Sequence, residues 1–434
     1  MDPTEADLAP LLAALAARGL ATPAELQAAL AVSQPTLSRR LAQAGGRVLA
    51  LGRGRATRYA LPQPILGHAA RQPLWWVDEA GAPQPLGEIS LLQGGWLHLQ
   101  GPGLDLVTRD RLPWLLAPLA PQGFLGRLLA QRLAAAGLDG NPERWSLAQT
   151  LFAALAVPDA PGAIVLGEPG ASALPRLPAP AAAEGEALDA LAQDVAATLP
   201  MGSSAGGEQP KFLAAAADGA PLLVKFSPPR GTPFGERWHE LLHAEALALQ
   251  VLAAQGVPAA AARIVEAPRR THLLSTRFDR VGARGRRHVL PIGALHEAFV
   301  GGPYSHWAAT AQALERQRRL PAGTAAQVLA LLHFGRLIGN SDMHAGNLSL
   351  VLARDDLGAG RFSLAPVYDM LPMRWRPDAT LGGAPDYGPF EPDPAAAAGP
   401  ARAVAARYWQ ALAELAAVSR GLRQTAAEMA RRLG

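Results

Sequence analysis

The stretch LIGNSDMHAGNLSL, residues 337–350, follows directly on an apolar helical run, QVLALLHFGRLI, that breaks at Gly339. Asn340, Asp342, His344 and Asn347 then interrupt the apolar pattern before it resumes. Packing alone does not call for four polar side chains after a buried helix, because each would need a partner away from water. They are there to hold something.

Asp342 and Asn347 stand five residues apart, and Asp369, in APVYDML, follows the strand pair NLSLVLA and RFSLAPV. A magnesium–triphosphate complex calls for such a set. The metal takes one or two hard oxygen ligands beside the phosphates, and a carboxylate must sit at the attacking hydroxyl. Protein kinases supply the same three groups in the same order. Upstream, Lys225 lies mid-strand in LLVKFS, and Glu245 lies on the long helix ERWHELLHAEALALQVLAAQG, where it can pair with Lys225 across a cleft. In SSAGGEQPK, Gly206 and Gly207 permit close approach of backbone N–H groups to phosphate oxygens, with Gln209 and Lys211 beyond them.

Composition points the same way. The chain has 434 residues, 49% of them hydrophobic and 18% charged, enough for several domains with buried cores. With no cysteine, disulfide frameworks and thiolate metal sites are excluded. Of 40 basic residues only Lys211 and Lys225 are lysine, so both fall in the proposed nucleotide site. An ammonium kept amid so many arginines argues for a compact point charge that guanidinium cannot replace. The acidic opening MDPTEADLAP is unlike a leader, and no apolar run reaches bilayer length, so the expected location is cytoplasmic, with no membrane partner.

Residues 33–61 carry six arginines and no acid. Before and through this segment the pattern is helix, helix capped by Thr22, helix capped by Ser33 and stopped at Gly45–Gly46, then two strands around Gly52-Arg53-Gly54. This reads as a winged helix-turn-helix. Gln34, Thr36, Ser38, Arg39 and Arg40 on the third helix, with Arg53, Arg55 and Arg58 on the hairpin, are the candidate DNA contacts. Residues 65–195 show a small antiparallel sheet and two helices but no catalytic constellation, and Trp75, Trp76 and Trp96 read as core. A single final helix is expected over about 395–432.

From about residue 200 to 375 the chain resembles the HipA family of bacterial serine/threonine kinases, the toxin half of HipBA-type toxin–antitoxin pairs. SSAGGEQPKF, LLVKFS, RFDR, LIGNSDMHAGNLSL and LAPVYDML stand in that family's order. With an amino-terminal helix-turn-helix on the same chain, the whole resembles the YjjJ (HipH) branch. The resemblance implies an α+β chain: a winged helix-turn-helix (1–64), a HipA-like amino-terminal subdomain (65–195), and a bilobal kinase-like fold divided at about 295 (196–295 and 296–434). It implies ATP and Mg²⁺ as cofactors, Asp342 as catalytic base, Asn347 and Asp369 as metal ligands, and Lys225 on the α/β-phosphates with Glu245 orienting it. The main chain at Thr276 and Phe278 would form the adenine hinge, with Asp279 near it. Ser203 and Ser204 would be candidates for autophosphorylation, an antitoxin and operator DNA would be partners, and a translation component would be the protein substrate. His344 would orient the catalytic loop. The loop SSAGGEQPK is one residue longer than the family's usual pattern, which blurs the choice between the two serines.

Two other readings use the same residues. One is a transcriptional regulator whose kinase-like half only senses a ligand. The other is a metal-dependent nuclease holding its ion with Asp342, His344, Asn347 and Asp369, which predicts strand cleavage without ATP.

Overall fold

A computed structural model describes residues 3–156, 159–169, 184–198, 209–378 and 383–434. Ser203, Ser204, Gly206 and Gly207 therefore lie outside the described residues. The fold is mixed α/β. The ladders between named strands are antiparallel throughout, as expected for α+β. No helix among the described residues is long and apolar enough to cross a membrane.

The amino-terminal module comprises α1 (Pro3–Arg18), β1 (Leu20–Ala21), α2 (Pro23–Leu30), α3 (Gln34–Ala44), β2 (Leu49–Leu51) and β3 (Arg58–Ala60). Leu8, Leu11, Leu15, Leu26 and Leu37 form its own core. Thr22 caps α2 in a reciprocal capping box with Glu25. Ser33 is the N-cap residue of α3, and its carbonyl accepts Leu37 N–H at 3.0 Å, but its side chain does not cap the helix. Its hydroxyl bonds the Thr36 hydroxyl at 3.0 Å, and so the expected side-chain cap is not made. Leu49, Leu51 and Ala60 bury against Leu92 of the next region, which seats the short sheet on it.

A five-stranded sheet follows, ordered β7-β6-β5-β4-β8: β4 (Arg71–Val77), β5 (Pro83–Leu92), β6 (Trp96–Gly101), β7 (Leu104–Arg109) and, after α4 (Gly123–Arg132) and α5 (Leu147–Ala156), β8 (Ile164–Leu166). Trp76 is buried in this region, while Trp75 and Trp96 are only half-buried.

Next comes α6 (Glu184–Thr198), whose Leu188 and Ala192 pack on the following sheet. The boundary expected at 195 falls inside this helix, which belongs with what comes after it. That sheet is ordered β11-β12-β10-β9: β9 (Lys211–Ala215), β10 (Pro221–Phe226), β11 (Ala262–Glu266) and β12 (Thr271–Thr276), with the 22-residue α7 (Pro233–Ala254) against β11 and β12. A short ribbon, β13 (Arg280–Val281) and β14 (Gly285–Arg286), leads to β15 (His288–Pro291).

The last body is helical: α8 (Ile292–Phe299), α9 (Trp307–Arg316) and α10 (Thr324–Leu337), then β16 (Ser349–Leu352) and β17 (Ser363–Leu364), which form a sheet with β15. In place of one final helix there are three: α11 (Pro394–Ala397), α12 (Ala401–Glu414) and α13 (Arg420–Leu433). The break at Leu415–Ser419 is held by polar partners. The Ser419 hydroxyl accepts from Leu422 N–H, and Ser419 N–H donates to the buried Glu240 carboxylate at 2.6 Å. A serine in a weakly patterned alanine-rich run is easily passed over as helix interior.

Candidate active site

The end of α10 places the polar stretch. Gly339 takes φ +77°, a left-handed conformation that glycine enters without strain. Gly339 N–H bonds Arg336 O at 3.1 Å and Asn340 N–H bonds Gly335 O at 2.8 Å, the paired bonds of a Schellman motif. A methyl at Gly335 would meet Met343 Sδ at 2.3 Å, so the glycine there lets the loop fold down on the helix. Asn340, 5% exposed, then works on two fronts. Its Oδ1 accepts Asp342 N–H at 3.0 Å, and its Nδ2 donates to Asp369 O at 3.2 Å.

The loop is tied at both ends. Asn347 Nδ2 donates to Asp342 O at 2.7 Å, which leaves its Oδ1 lone pairs for another partner. His344 O accepts Trp307 Nε1–H at 2.8 Å and Asn347 N–H at 3.1 Å, and the His344 Nδ1 accepts Gly346 N–H at 3.0 Å. Tyr368 OH donates to Gly346 O at 2.7 Å and lies 2.8 Å from Ser349 Oγ. The residue before Asp369 is thereby fastened to the Asp342 loop. Two open clefts of about 440 and 670 Å³ flank that loop; Asp342 and His344 line the smaller, and Arg374 and Phe390 the larger.

Lys225 is 4% exposed and points between α7 and the Asp369 segment. Its Nζ bonds Glu245 at 2.6 and 2.8 Å and also bonds Asp369 Oδ1. Burial opposes the Lys225 charge, but Asp369 and Glu245 more than offset it and raise its pKa above the ordinary lysine value. For Asp369, burial raises while Lys225 and Lys211 lower, and the net direction is down. For Glu245, burial outweighs Lys225, with the Asp369 charge adding to the rise. Asp369 itself takes φ +52°, rare for a residue with a side chain and the sort of strain that clusters at functional positions.

The remaining candidates are placed as follows. Lys211 and Lys225 are register partners across β9 and β10, so the chain's two ammonium groups share one face. Gln209 Nε2 donates to Phe226 O at 2.7 Å, while its Oε1 is buried without a partner. Thr276 N–H is already taken by Ala261 O at 2.9 Å, and the Phe278 ring packs 5.5 Å from Tyr368.

The Asp279 carboxylate is spent on protein donors. It accepts from Arg277 at 3.0 and 2.9 Å, from Arg280, and from Gly162 N–H at 3.1 Å. With both oxygens consumed, it joins β12 to the middle region rather than to a ligand.

On the amino-terminal module, Gln34, Ser38, Arg39, Arg53 and Arg55 are exposed, and Thr36 and Arg58 are half-buried. Arg40 turns inward instead, bonding Asp7 Oδ1 through Nε at 3.0 Å and Nη2 at 2.7 Å. Among the residues that position the site, Asn340 was named in the polar stretch without a role of its own, and Tyr368 and Trp307 were not singled out. A signal existed for two. Asn340 opens the polar stretch just past a helix-ending glycine, and Tyr368 directly precedes the metal-type aspartate. Nothing local marks Trp307.

Comparisons with known protein families match two parts of the chain. A family model described as the HipA-like C-terminal domain matches residues 203–433, and one described as the YjjJ-like toxin, middle domain, matches residues 68–174. The chain is 36% identical over 420 residues to Toxin YjjJ of Escherichia coli (strain K12), covering 93% of each. Among solved structures it resembles a chain of the Shewanella oneidensis MR-1 HipA, HipB and operator DNA complex. There the TM-score is 0.55 at 18% identity, covering 83% of this chain and 95% of that one, a likeness of fold. The match to the Helicobacter pylori proinflammatory kinase CtkA, with a TM-score of 0.34 at 11% identity over 52% of this chain and 87% of that one, is too slight to carry weight.

Proposed function

The chain belongs to the HipA-like toxin family, with a YjjJ-like middle domain, and from that premise we propose that it is a serine/threonine protein kinase, dependent on ATP and Mg²⁺, that carries its own DNA-binding module. The observation that carries the proposal is the convergence of Lys225, Glu245 and Asp369 from β10, α7 and the segment after β17.

The donor set suits the cofactors. Asp369 and the Oδ1 of Asn347 are hard oxygen donors of the kind Mg²⁺ takes, and Lys225 is a buried point charge for phosphate. Bound there, the metal–nucleotide would supply the phosphoryl group and neutralise its charge. Asp342, its backbone fixed by Asn340 and Asn347, receives the proton of the acceptor hydroxyl. Glu245 holds the Lys225 ammonium in place, and Lys211 adds positive charge beside it. Ser203 or Ser204, in the glycine-rich loop, would be the site of autophosphorylation. A translation component is the substrate class expected.

The amino-terminal module is read as a winged helix-turn-helix, with Gln34, Ser38, Arg39, Arg53 and Arg55 offered to DNA. The Shewanella HipA is solved with HipB and operator DNA; here the DNA-contacting part would be in the same chain, repressing its own transcription with or without an antitoxin.

Transfer of label from γ-labelled ATP to the chain or to a cell extract tests the reading. Asp342→Asn should cut the rate by about 10²–10⁴-fold, the span of a positioned general base. Intact ATP binding with no transfer by the wild-type chain would overturn it and favour the sensor reading. Metal-dependent DNA cleavage without ATP would favour the nuclease.

A further inference from the structure

Away from that cleft, α7 carries a second group of chemically able side chains. His239 and His243 stand one turn apart on the same helical face, and Glu266 ends β11 opposite them. One ligand-type atom from each lies within 4.8 Å of the other two, and among the described residues no other trio of histidine and carboxylate side chains does this.

The details go beyond proximity. His243 Nε2 and Glu266 Oε1 are 3.2 Å apart, yet the imidazole nitrogen is buried and makes no aligned hydrogen bond. That gap is close to the edge of a tetrahedron whose metal–ligand bonds are about 2.0–2.1 Å. His239 Nε2–H donates to Ala417 O at 2.8 Å, so the lone pair sits on Nδ1, where Thr271 Oγ1 is 2.6 Å and Arg230 Nη1 3.2 Å away. A ring N–H anchored on a backbone carbonyl is the outer-shell support of metal-binding histidines, and the Nδ1 lone pair, which here accepts the Thr271 hydroxyl, is available to an ion once that hydroxyl turns away. Burial first, then the neighbouring His239, lowers the His243 pKa and keeps the imidazole in the neutral form that binds metal. The opposing charge is Arg230. It is 35% exposed and already bonds Glu236 through Nε at 3.1 Å, so it can withdraw its Nη1 without losing every partner.

We propose that His239, His243 and Glu266 form a binding site for a divalent first-row transition ion of the zinc type, separate from the Asp342–Asp369 cleft. Two imidazoles and a carboxylate are the nitrogen–oxygen set that zinc accepts, with a fourth position left for water or the Thr271 hydroxyl. The ion would staple α7 to the end of β11, two residues from Glu245. The site stands independently of the kinase reading.

The test is Zn²⁺ titration of the untagged full chain against a chromophoric chelator, with Co²⁺ as a spectroscopic substitute. One Zn²⁺ per chain is expected, and Co²⁺ should give visible absorption that depends on His243. His243→Gln and Glu266→Gln, both at partly exposed positions, should each weaken binding by about 10–100-fold or more. Arg230→Gln should tighten it, and Asp342→Asn and Asp369→Asn should leave it unchanged. Absence of stoichiometric Zn²⁺, or binding that survives His243→Gln and Glu266→Gln together in a variant with wild-type circular dichroism, would overturn the proposal.

Discussion

Two buried ionic clusters occupy the same half of the molecule, and their chemistry differs in kind. In one, Asp279 is gripped by the planar forks of Arg277 and Arg280 and by Gly162 N–H, while Asp159 takes a further bond from each arginine at 3.0 and 2.7 Å. Every oxygen has a directed donor. In the other, Lys225 is a rotatable point charge shared by two carboxylates. Asp369 meets it through Oδ1, with its side chain still 25% exposed. The first cluster is closed and joins the middle region to the sheet. The second leaves oxygen lone pairs turned to solvent beside a strained backbone. A carboxylate among arginines is therefore no sign of a site by itself; what separates the two is whether the donors are used up.

Substitution at the two aspartates should separate these roles most sharply. Asp369→Asn is expected to reduce phosphoryl transfer to background in the labelled-ATP assay. Its unfolding free energy should change by about 1 kcal/mol or less, because Lys225 keeps Glu245. Asp279→Asn should do the reverse. Removing one partner of a buried, multiply bonded pair costs about 3–5 kcal/mol, read as a lower urea midpoint, while the folded fraction keeps its specific activity. Equal loss of stability in both variants would break the distinction.

The sequence carried the open cluster well and the closed one poorly, for a physical reason. Lys225, Glu245, Asp342, Asn347 and Asp369 are ionisable or amide groups in otherwise apolar elements, and a polar residue inside a periodic apolar pattern announces itself. Asp279 lies in RFDR, where alternating charges look alike whether they face ligand or one another. Gly162, whose N–H it accepts, and Asp159, which shares its two arginines, are more than 110 residues away, and no local pattern links them. The same limit hid the inward turn of Arg40 and the break before α13, each fixed by a distant acid, Asp7 and Glu240. Helix ends set by local chemistry, such as Thr22 with Glu25 and Gly339 with Asn340, were open to reading from the chain alone.

Acid should reach the closed side first. His288, buried between the middle region and β16, accepts Ala163 N–H on Nδ1 at 3.2 Å and donates from Nε2 to Leu115 O at 3.0 Å. Burial pushes its pKa down to about 4 from an ordinary 6.5. Between those values the unfolded chain binds a proton that the native chain refuses, so stability rises with pH across the window. As pH falls from 7 to 4 this one group should withdraw up to about 3 kcal/mol. His288→Gln should flatten urea-unfolding free energy against pH by close to one proton in that range. Asp279 adds a second loss at lower pH. Burial would raise its carboxyl, but Arg277 and then Arg280 hold it down at about 2, so its contribution is present above pH 4 and fades towards pH 2.

The smallest effect applies the same rule to two neighbouring arginines on α3. Arg39 is exposed, whereas Arg40 is 16% exposed and bonded to Asp7 on α1. If exposed donors are the ones offered to DNA, Arg39→Ala should weaken binding similarly across sequences. It should also lower the slope of log affinity against log salt by about one unit, as one phosphate contact is removed. Arg40→Ala should leave that slope alone and instead lower the module's stability by up to about 1 kcal/mol, the usual worth of a partly exposed ion pair. Fluorescence anisotropy over a salt series, with thermal melts of the same variants, reads both quantities. A slope change with Arg40→Ala and none with Arg39→Ala would mean that α3 meets DNA with Arg40 released from Asp7, and that pairing in the free chain does not mark which arginines are spent.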